Sequence, residues 1–380
     1  MKNTRIFDNF LHESLQKRND AGLRRKLIFT EGLIDFSSND YLGFARNASF
    51  QNDLSQTPLP NGSTGSRLIT GNSQLAEQTE RIIADFHDAE AALIFNTGYM
   101  ANIGLFSSLG DIDSVFIYDE YIHASVHDGM RLSRAKRVKF KHNDLENLTY
   151  LLQNTEGGKK YVAVESVYSM DGDLAPLREI ADICQKNNAA LIVDEAHGTG
   201  CFGEKGEGLV TELGLENAVF ARVHTFGKAL GVHGAAVVGS CLLRDFLINH
   251  ARSFIYTTAL PPLVYLHIQH AYQLLPTANR AHLSDLIAYF IQKTTTILLP
   301  NGYFLTNVHS PIQGIVVPNN EKITALAEHL HQNGIYAKAI LSPTVPIGVE
   351  RIRICLHSFN TFAEINLLFK SLSKWIMDNK

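Results

Sequence analysis

The segment that decides the fold is AALIVDEAHGTG, residues 189–200, an apolar run that ends abruptly in acids, a histidine and glycines. A short continuous apolar run of this kind is typical of a strand that is buried on both faces of a parallel sheet. Ligands of open α/β sheets bind at the carboxyl ends of such strands. The segment therefore predicts a buried strand with a ligand site beside Asp194 and His197.

Similar apolar runs occur on both sides of this segment along the chain. From about Leu93 to Gly239, short apolar β-rich runs alternate with longer amphipathic stretches, which predicts a parallel sheet covered by helices. The amphipathic stretch Leu177–Asn187 is the clearest predicted helix. The predicted strands include Val115–Tyr118, Tyr161–Glu165, Ala190–Val193 and Ala235–Val238.

The last third of the chain predicts a smaller α+β domain. Its predicted elements are strands at Ile315–Val317, Ile335–Ala339 and Arg351–Leu356 and a helix over Thr324–Gln332. A final helix begins with a capping box of Thr361 and Glu364 and carries an apolar stripe of Phe362, Ile365, Phe369, Leu372 and Ile376. We expect residues 1–45 to pack with this small domain, residues 46–275 to form the large domain, and residues 276–380 to form the small one.

Composition excludes several classes of function. The chain has 380 residues, 45% of them hydrophobic, and a net charge of −4, so we expect no nucleic-acid or membrane partner. Its four cysteines form no CxxC pair, which argues against a disulfide framework and a thiolate metal site. The first ten residues lack the apolar core of a signal peptide. These features predict a cytoplasmic globular protein.

Asp194 is the first candidate for chemistry. A carboxylate at the end of a buried strand is costly unless it meets a cation, and a pyridinium nitrogen would supply that partner. The alternative is an aspartate that only caps the following turn.

Lys228 is the second candidate, in the segment HTFGKALG, residues 224–231. A lysine that forms a Schiff base needs a partly desolvated site, close backbone approach from glycine, and a nearby hydroxyl that binds phosphate. The alternative is a lysine in a surface turn. A nucleotide P-loop is excluded because Ala229 follows the lysine and position 222 is not glycine.

Three further groups complete the candidate set. The turn into a helix at NTGYMAN, residues 96–102, suits a phosphate. His123 either lies over a flat cofactor or packs at a helix start, and with His127 it lacks the HExxH pattern and a third ligand, so we expect no metal site. Arg351 and Arg353 share one face of a strand, where one of them suits a substrate carboxylate.

These motifs occur in the order found in the α-oxoamine synthases, a family of pyridoxal-phosphate enzymes that the chain resembles over nearly its whole length. The resemblance is carried by SSNDYLG (37–43), TGYMAN (97–102), YIHAS (121–125), ESVYSMDGD (165–173), VDEAHGTG (193–200), TFGK (225–228) and PTVP (343–346).

The resemblance implies the fold, the cofactor and the site. The expected fold is the α/β fold-type I arrangement, with a mostly parallel seven-stranded sheet in the large domain, in a homodimer whose active sites lie at the subunit interface. Lys228 would hold pyridoxal 5'-phosphate covalently, Asp194 would pair with the pyridine nitrogen, His197 would hold the ring hydroxyl and His123 would stack on the ring. The other implied cofactor contacts are Gly98, Tyr99, Ser169, Thr225 and, across the interface, Thr257 or Thr258; the implied substrate contacts are Arg24, Asn39, Thr344 and Arg353.

The resemblance also implies the reaction, a condensation of an amino acid with an acyl thioester that releases carbon dioxide. The members most similar to this chain join L-alanine to a pimeloyl thioester, of coenzyme A or acyl-carrier protein, in biotin synthesis. Alternatives are members that use glycine and acetyl-CoA, or serine and a fatty-acyl thioester. Leu341 and Ser342 stand where several relatives have Arg-Pro, so the contacts to the acyl donor differ here.

Overall fold

The computed structural model describes residues 2–49, 59–306 and 308–379. Its strands, in chain order, are β1 (Ile34–Asp35), β2 (Ala91–Phe95), β3 (Ser114–Asp119), β4 (Lys136–Phe140), β5 (Lys159–Glu165), β6 (Ala189–Asp194), β7 (Ala221–Thr225), β8 (Ala235–Gly239), β9 (Phe304–Leu305), β10 (Ile312–Val316), β11 (Ile335–Tyr336), β12 (Lys338–Ile340) and β13 (Arg351–Cys355).

The helices lie mostly between these strands. In chain order they are α1 (Lys2–Asp20), α2 (Gln74–Phe86), α3 (Gly98–Leu109), α4 (Ala124–Leu132), α5 (Leu145–Asn154), α6 (Leu177–Lys186), α7 (Leu209–Glu212), α8 (Cys241–His250), α9 (Arg252–Ile255), α10 (Pro262–Leu274), α11 (Arg280–Thr294), α12 (Asn320–Gln332) and α13 (Phe362–Asp378). None of the helices in the described ranges is long and apolar enough to cross a membrane.

The larger of two compact units comprises Asn39–Ser284 and His357–Phe359 in their described parts. It contains a seven-stranded sheet in the order β2-β8-β7-β6-β5-β3-β4. All neighbouring strands are parallel except β8, which is antiparallel to both β2 and β7. The prediction of an α/β fold on a mostly parallel sheet is confirmed.

Apolar side chains cover both faces of the centre of this sheet, which explains why strands such as β5 and β6 contain continuous apolar runs in sequence. Alternate residues point to opposite faces: Val162 and Val164 pack in one core cluster, while Ala163 packs in the other. One cluster includes side chains of α3, α4 and α8, and the other includes side chains of α5 and α6. The polar ends of the strands are therefore the part of the sheet left available for a site.

The smaller unit comprises Met1–Ser38, Asp285–Leu356 and Asn360–Lys380 in their described parts. An antiparallel sheet in the order β12-β13-β10-β9 is packed with α12 and α13, and β1 pairs in parallel with β11. The capping box of Thr361 and Glu364 is confirmed at the start of α13. The domain limits 1–45, 46–275 and 276–380 remain a prediction.

Two details of this unit differ from the sequence-based expectation. Ile335–Ala339 is two strands in different sheets, because the chain leaves β11 at Tyr336 and enters β12 at Lys338. Phe362 is 43% exposed, whereas the other members of the predicted stripe are buried, because it is the first residue of α13 and precedes the first full turn against the core.

Candidate active site

A cavity of about 270 Å³ lies within the larger unit, where β5, β6 and β7 end and β8 begins. Its volume is slightly below the roughly 300–1,000 Å³ of pockets for drug-sized ligands. The topology explains the place, because the carboxyl ends of parallel strands meet at one edge. The residues that line it are Asn39, Thr97, Gly98, Tyr99, Asn102, His123, Ser125, Glu165, Asp194, Ala196, His197, Thr225, Gly227, Lys228, His233 and Gly234.

Lys228 lies at the head of a hydrogen-bonded chain. Its Nζ is 3.0 Å from Nε2 of His197, and the Tyr41 hydroxyl is 2.7 Å from Nδ1 of the same ring. Tyr41 in turn donates to Oδ1 of Asn39 at 3.1 Å. We assign the His197 proton to Nδ1, because the Tyr41 hydroxyl donates its own proton to Asn39 and therefore accepts from the ring nitrogen. This series of hydrogen bonds places an acceptor, Nε2 of His197, against the Lys228 amine and fixes the plane of the imidazole ring.

Asp194 lies at the head of a second chain. Its carboxylate accepts the Asn102 amide at 2.8 Å and the Ala196 backbone N–H at 3.0 Å. The same Asn102 amide donates to the Ser125 hydroxyl at 2.9 Å, and that hydroxyl is 2.7 Å from Nδ1 of His123. The buried carboxylate is thus held by neutral donors, and it lines the cavity.

His123 is the N-cap of α4, and its Nδ1 also accepts the Ser125 backbone N–H. With Nδ1 accepting from both groups of Ser125, the neutral ring carries its proton on Nε2. Burial lowers the pKa of His123, and the Lys228 cation lowers it further against the opposing effect of Asp194. The residue is therefore a neutral imidazole with an N–H donor at its outer end.

The first turn of α3 forms one wall of the cavity. The Thr97 hydroxyl caps the helix by accepting from Met100 N, and the backbone N–H groups of Gly98 and Tyr99 belong to the unsatisfied first turn. A Cβ at Gly98 would lie 2.4 Å from Cγ2 of Thr225, so only glycine fits against this threonine. A helix start lined by glycine and a hydroxyl is suited to an anion.

Glu165 is a buried acid that the sequence did not single out. It is the register partner of Asp194 on the neighbouring strand, and it is 3% exposed. Burial, followed by the charge of Asp194, raises the pKa of Glu165 to about 8. The backbone N–H groups of His123 and Ser169 both approach this carboxyl. The side chain of Glu165 is therefore mostly protonated at neutral pH.

The cavity brings together eight of the residues predicted from the sequence: Asn39, Gly98, Tyr99, His123, Asp194, His197, Thr225 and Lys228. Ser169 is partly buried on the loop after β5 and is outside the lining. Thr257 accepts from the Asn96 amide, and Thr258 is exposed. Arg24, Thr344 and Arg353 belong to the smaller unit, where Arg24 and Thr344 are exposed and Arg353 is buried in β13.

Tyr41, Asn102 and Ser125 are site residues to which sequence reasoning gave no role. All three lie inside motifs that were recognised, SSNDYLG, TGYMAN and YIHAS. Asn102 lies four residues after Gly98 in α3, so it faces the same side of the helix as the glycine. That spacing was the available signal for Asn102, whereas the hydrogen bonds of Tyr41 and Ser125 depend on tertiary contacts.

Known proteins resemble this chain over nearly its whole length. The model of the family "Aminotransferase class I and II" matches residues 31–368. An 8-amino-7-oxononanoate synthase from Emericella nidulans is 44% identical and covers 96% of this chain, with 95% of the relative covered.

Two solved structures are also similar to this chain. A serine palmitoyltransferase from S. paucimobilis that carries a PLP–myriocin aldimine has a TM-score of 0.88 at 28% identity, covering 98% of this chain and 97% of its own. An 8-amino-7-oxononanoate synthase from Francisella tularensis has a TM-score of 0.76 at 29% identity, covering 92% and 99%. The resemblance inferred from the motifs is confirmed, and the chain belongs to the aminotransferase class I and II family.

Proposed function

We propose that this chain binds pyridoxal 5'-phosphate at Lys228 and condenses L-alanine with a pimeloyl thioester, forming 8-amino-7-oxononanoate, carbon dioxide and the free thiol in biotin synthesis. The observation that carries the proposal is the single cavity that unites Lys228, Asp194 and His123 in a chain 44% identical to a named synthase of this product. The chain is then a pyridoxal-phosphate-dependent acyltransferase.

The residues of the cavity fit the cofactor. Asp194 offers a buried carboxylate held only by neutral donors, which suits a protonated pyridine nitrogen. Gly98 leaves space where a Cβ would meet Thr225, and the start of α3 suits the phosphate. Tyr99, Thr225 and Ser169 would add contacts, and His123 would stack on the ring. When bound, the cofactor supplies an electron sink for negative charge that develops on the Cα of the amino acid.

Lys228 is the proposed general base. Its free amine would remove the Cα proton of alanine and later return a proton to the product. His197 accepts a hydrogen bond at Nε2 from this amine in the structure, so it holds the amine in place. The same side chain would contact the ring hydroxyl of the cofactor. Tyr41 and Asn39 keep that imidazole in the required tautomer.

His123 is the proposed electrophile for the acyl donor. Its Nε2–H donates to the thioester carbonyl oxygen as negative charge develops there during attack by the alanine carbon. A neutral imidazole is the required form, and burial keeps the pKa of His123 lowered. The free thiol then leaves, and the β-keto acid loses carbon dioxide.

The remaining contacts are assigned by motif. Arg353 would grip the alanine carboxylate, with Asn39, Arg24 and Thr344 as further substrate contacts. Thr257 or Thr258 would reach the phosphate of the neighbouring subunit in a homodimer.

A second candidate is condensation of serine with a long acyl thioester. It is favoured by one observation, the higher TM-score to the serine palmitoyltransferase, 0.88, than to the Francisella synthase, 0.76. Glycine with acetyl-CoA is a third possibility for the same catalytic residues, because one methyl group in an apolar pocket discriminates by only about 1–3 kcal/mol.

Mass spectrometry of the products separates these reactions. The purified protein is incubated with alanine, glycine or serine and with pimeloyl, acetyl or palmitoyl thioesters, and Lys228→Ala serves as the matched control. We expect 8-amino-7-oxononanoate as the main product and none from the control. A main product from serine or glycine would replace the proposal with the corresponding alternative.

A further inference from the structure

A second charged cluster lies outside the cavity lining, where β3 and β4 end. Its members are Asp119 at the end of β3, His142 just after β4 and Asp173 in the loop that follows β5, and we call them the His142 clamp. Nδ1 of His142 is 3.0 and 3.1 Å from the two carboxylate oxygens of Asp119, and Nε2 is 2.8 Å from Oδ2 of Asp173. Carboxylates only accept, so both ring nitrogens must donate. The ring is therefore an imidazolium shared by two carboxylates.

The surroundings of the clamp hold it rigidly. Tyr121 stacks on the imidazole at 4.5 Å between ring centroids, and Tyr168 meets its edge at 4.4 Å. Asn143 donates its backbone N–H to Asp119 and its amide to Asp173. The other charged groups nearby are Glu120, which accepts the His142 backbone N–H, and Lys139, 3.9 Å from Glu120. Asp119 itself is fully buried.

The clamp connects two loops that carry proposed cofactor contacts. Asp119 begins the turn that leads to His123, and its carboxylate accepts the Tyr121 backbone N–H. Asp173 closes the loop that carries Ser169, because its carbonyl accepts the Tyr168 N–H at 3.0 Å. The two loops also meet at Glu165, whose carboxyl is approached by the N–H groups of His123 and Ser169. The two loops are therefore linked at two places. One link runs from Asp119 through His142 to Asp173, and the other runs through the carboxyl of Glu165.

We propose that His142 is a positioning residue, whose imidazolium joins Asp119 to Asp173 and so holds the His123 turn and the Ser169 loop at the separation that binds pyridoxal phosphate tightly. The inference rests on the cofactor roles proposed above for His123 and Ser169. It assigns His142 no contact with the cofactor or the substrates.

The charge state of His142 gives the clamp a defined pH range. Burial by itself would lower the pKa of His142, but the hydrogen bonds and charges of Asp119 and Asp173 outweigh it and raise the pKa to about 10. The ordinary pKa of a histidine side chain is 6.5. The stabilisation from the clamp is therefore fully present below about pH 6.5 and is lost as the pH rises through about 10.

Cofactor binding tests the clamp directly. Equilibrium dialysis of the protein against pyridoxal phosphate gives its dissociation constant in the parent, in His142→Gln and in Asp173→Asn. Lys159→Gln is the matched control, since it removes an exposed ion pair with Asp111 at the start of the neighbouring strand β5. We expect the constant to rise about tenfold in both clamp variants, as when a charged hydrogen bond beside a site is lost, and to stay unchanged in the control.

Two further measurements separate positioning from general stability. The ratio of the His142→Gln constant to the parent constant should fall toward one above about pH 10, where the parent loses the same charge. Melting temperatures of the cofactor-free and cofactor-bound forms should show a smaller gap in the variants. Parent-like constants in both variants, even with lower melting temperatures, would overturn this inference alone, whereas failure of the parent to bind pyridoxal phosphate would also overturn the proposed function.

Discussion

At the scale of single residues, the two acids at the ends of β5 and β6 lie in different surroundings. Asp194 is held by the neutral amide of Asn102 and by a backbone N–H, whereas burial and Asp194 raise the pKa of Glu165 to about 8. Like charges on neighbouring strands cannot both ionise cheaply in a buried site. Glu165 therefore stays mostly protonated at neutral pH, and the carboxylate of Asp194 is the one proposed to pair with a pyridinium nitrogen.

Asp194→Asn should keep the fold and lose most activity. The amide matches the carboxylate in shape, but it no longer holds the ring nitrogen protonated, so we expect kcat to fall by roughly 100-fold or more. Circular dichroism checks the fold, and steady-state kinetics give kcat. Near-normal turnover in a folded variant would remove Asp194 from its proposed role.

Glu165→Gln should alter how stability depends on pH. The pKa of Glu165 is raised in the folded chain from 4.5 to about 8, so the folded state holds a proton that the unfolded state releases in this window. The contribution to stability is thus present below about pH 4.5 and is lost as the pH rises through about 8. Urea unfolding of the cofactor-free protein across this range should show a shallower decline in the variant. Identical slopes would indicate that Glu165 is ionised in the folded chain.

At the scale of elements, the start of α3 depends on the absence of a side chain at Gly98. Gly98→Ala would place a Cβ 2.4 Å from Cγ2 of Thr225, a stiff β-branched side chain. Overpacking of this kind costs about 1–3 kcal/mol, so we expect affinity for pyridoxal phosphate to fall about tenfold or more. Gly62→Ala is the matched control, because nothing lies within 4 Å of a Cβ there. Equal affinities in the two variants would contradict the phosphate role of α3.

Four strands of the large sheet, β3, β5, β6 and β8, could be predicted closely, because burial on both faces leaves a continuous apolar run in the sequence. The predicted strand Ala190–Val193 falls within β6, and the predicted helix Leu177–Asn187 ends one residue beyond α6. The limits of short strands were harder to predict. β10 begins at Ile312, three residues before the predicted start, and this start was missed because Gln313 and Gly314 interrupt the apolar pattern. The links of Asp194 to Asn102 and of Lys228 to His197 join distant parts of the chain, so spacing alone could not show them.

At the scale of the whole molecule, the proposed homodimer has a direct test. Thr257 or Thr258 is proposed to reach the phosphate of the neighbouring subunit, which requires two chains for a complete site. Sedimentation velocity should give a mass of twice the 42.2 kDa of the chain. A monomer that is fully active at the same concentration would contradict the proposal.

The most direct test of the central claim is the comparison of kcat/KM across matched substrate pairs. A pimeloyl chain offers several methylenes, each worth about 0.8 kcal/mol on full burial, so the choice of donor should be sharper than the choice of amino acid. We predict a higher kcat/KM for alanine with a pimeloyl thioester than for glycine with acetyl-CoA or serine with palmitoyl-CoA. A higher value for either rival pair would contradict the account.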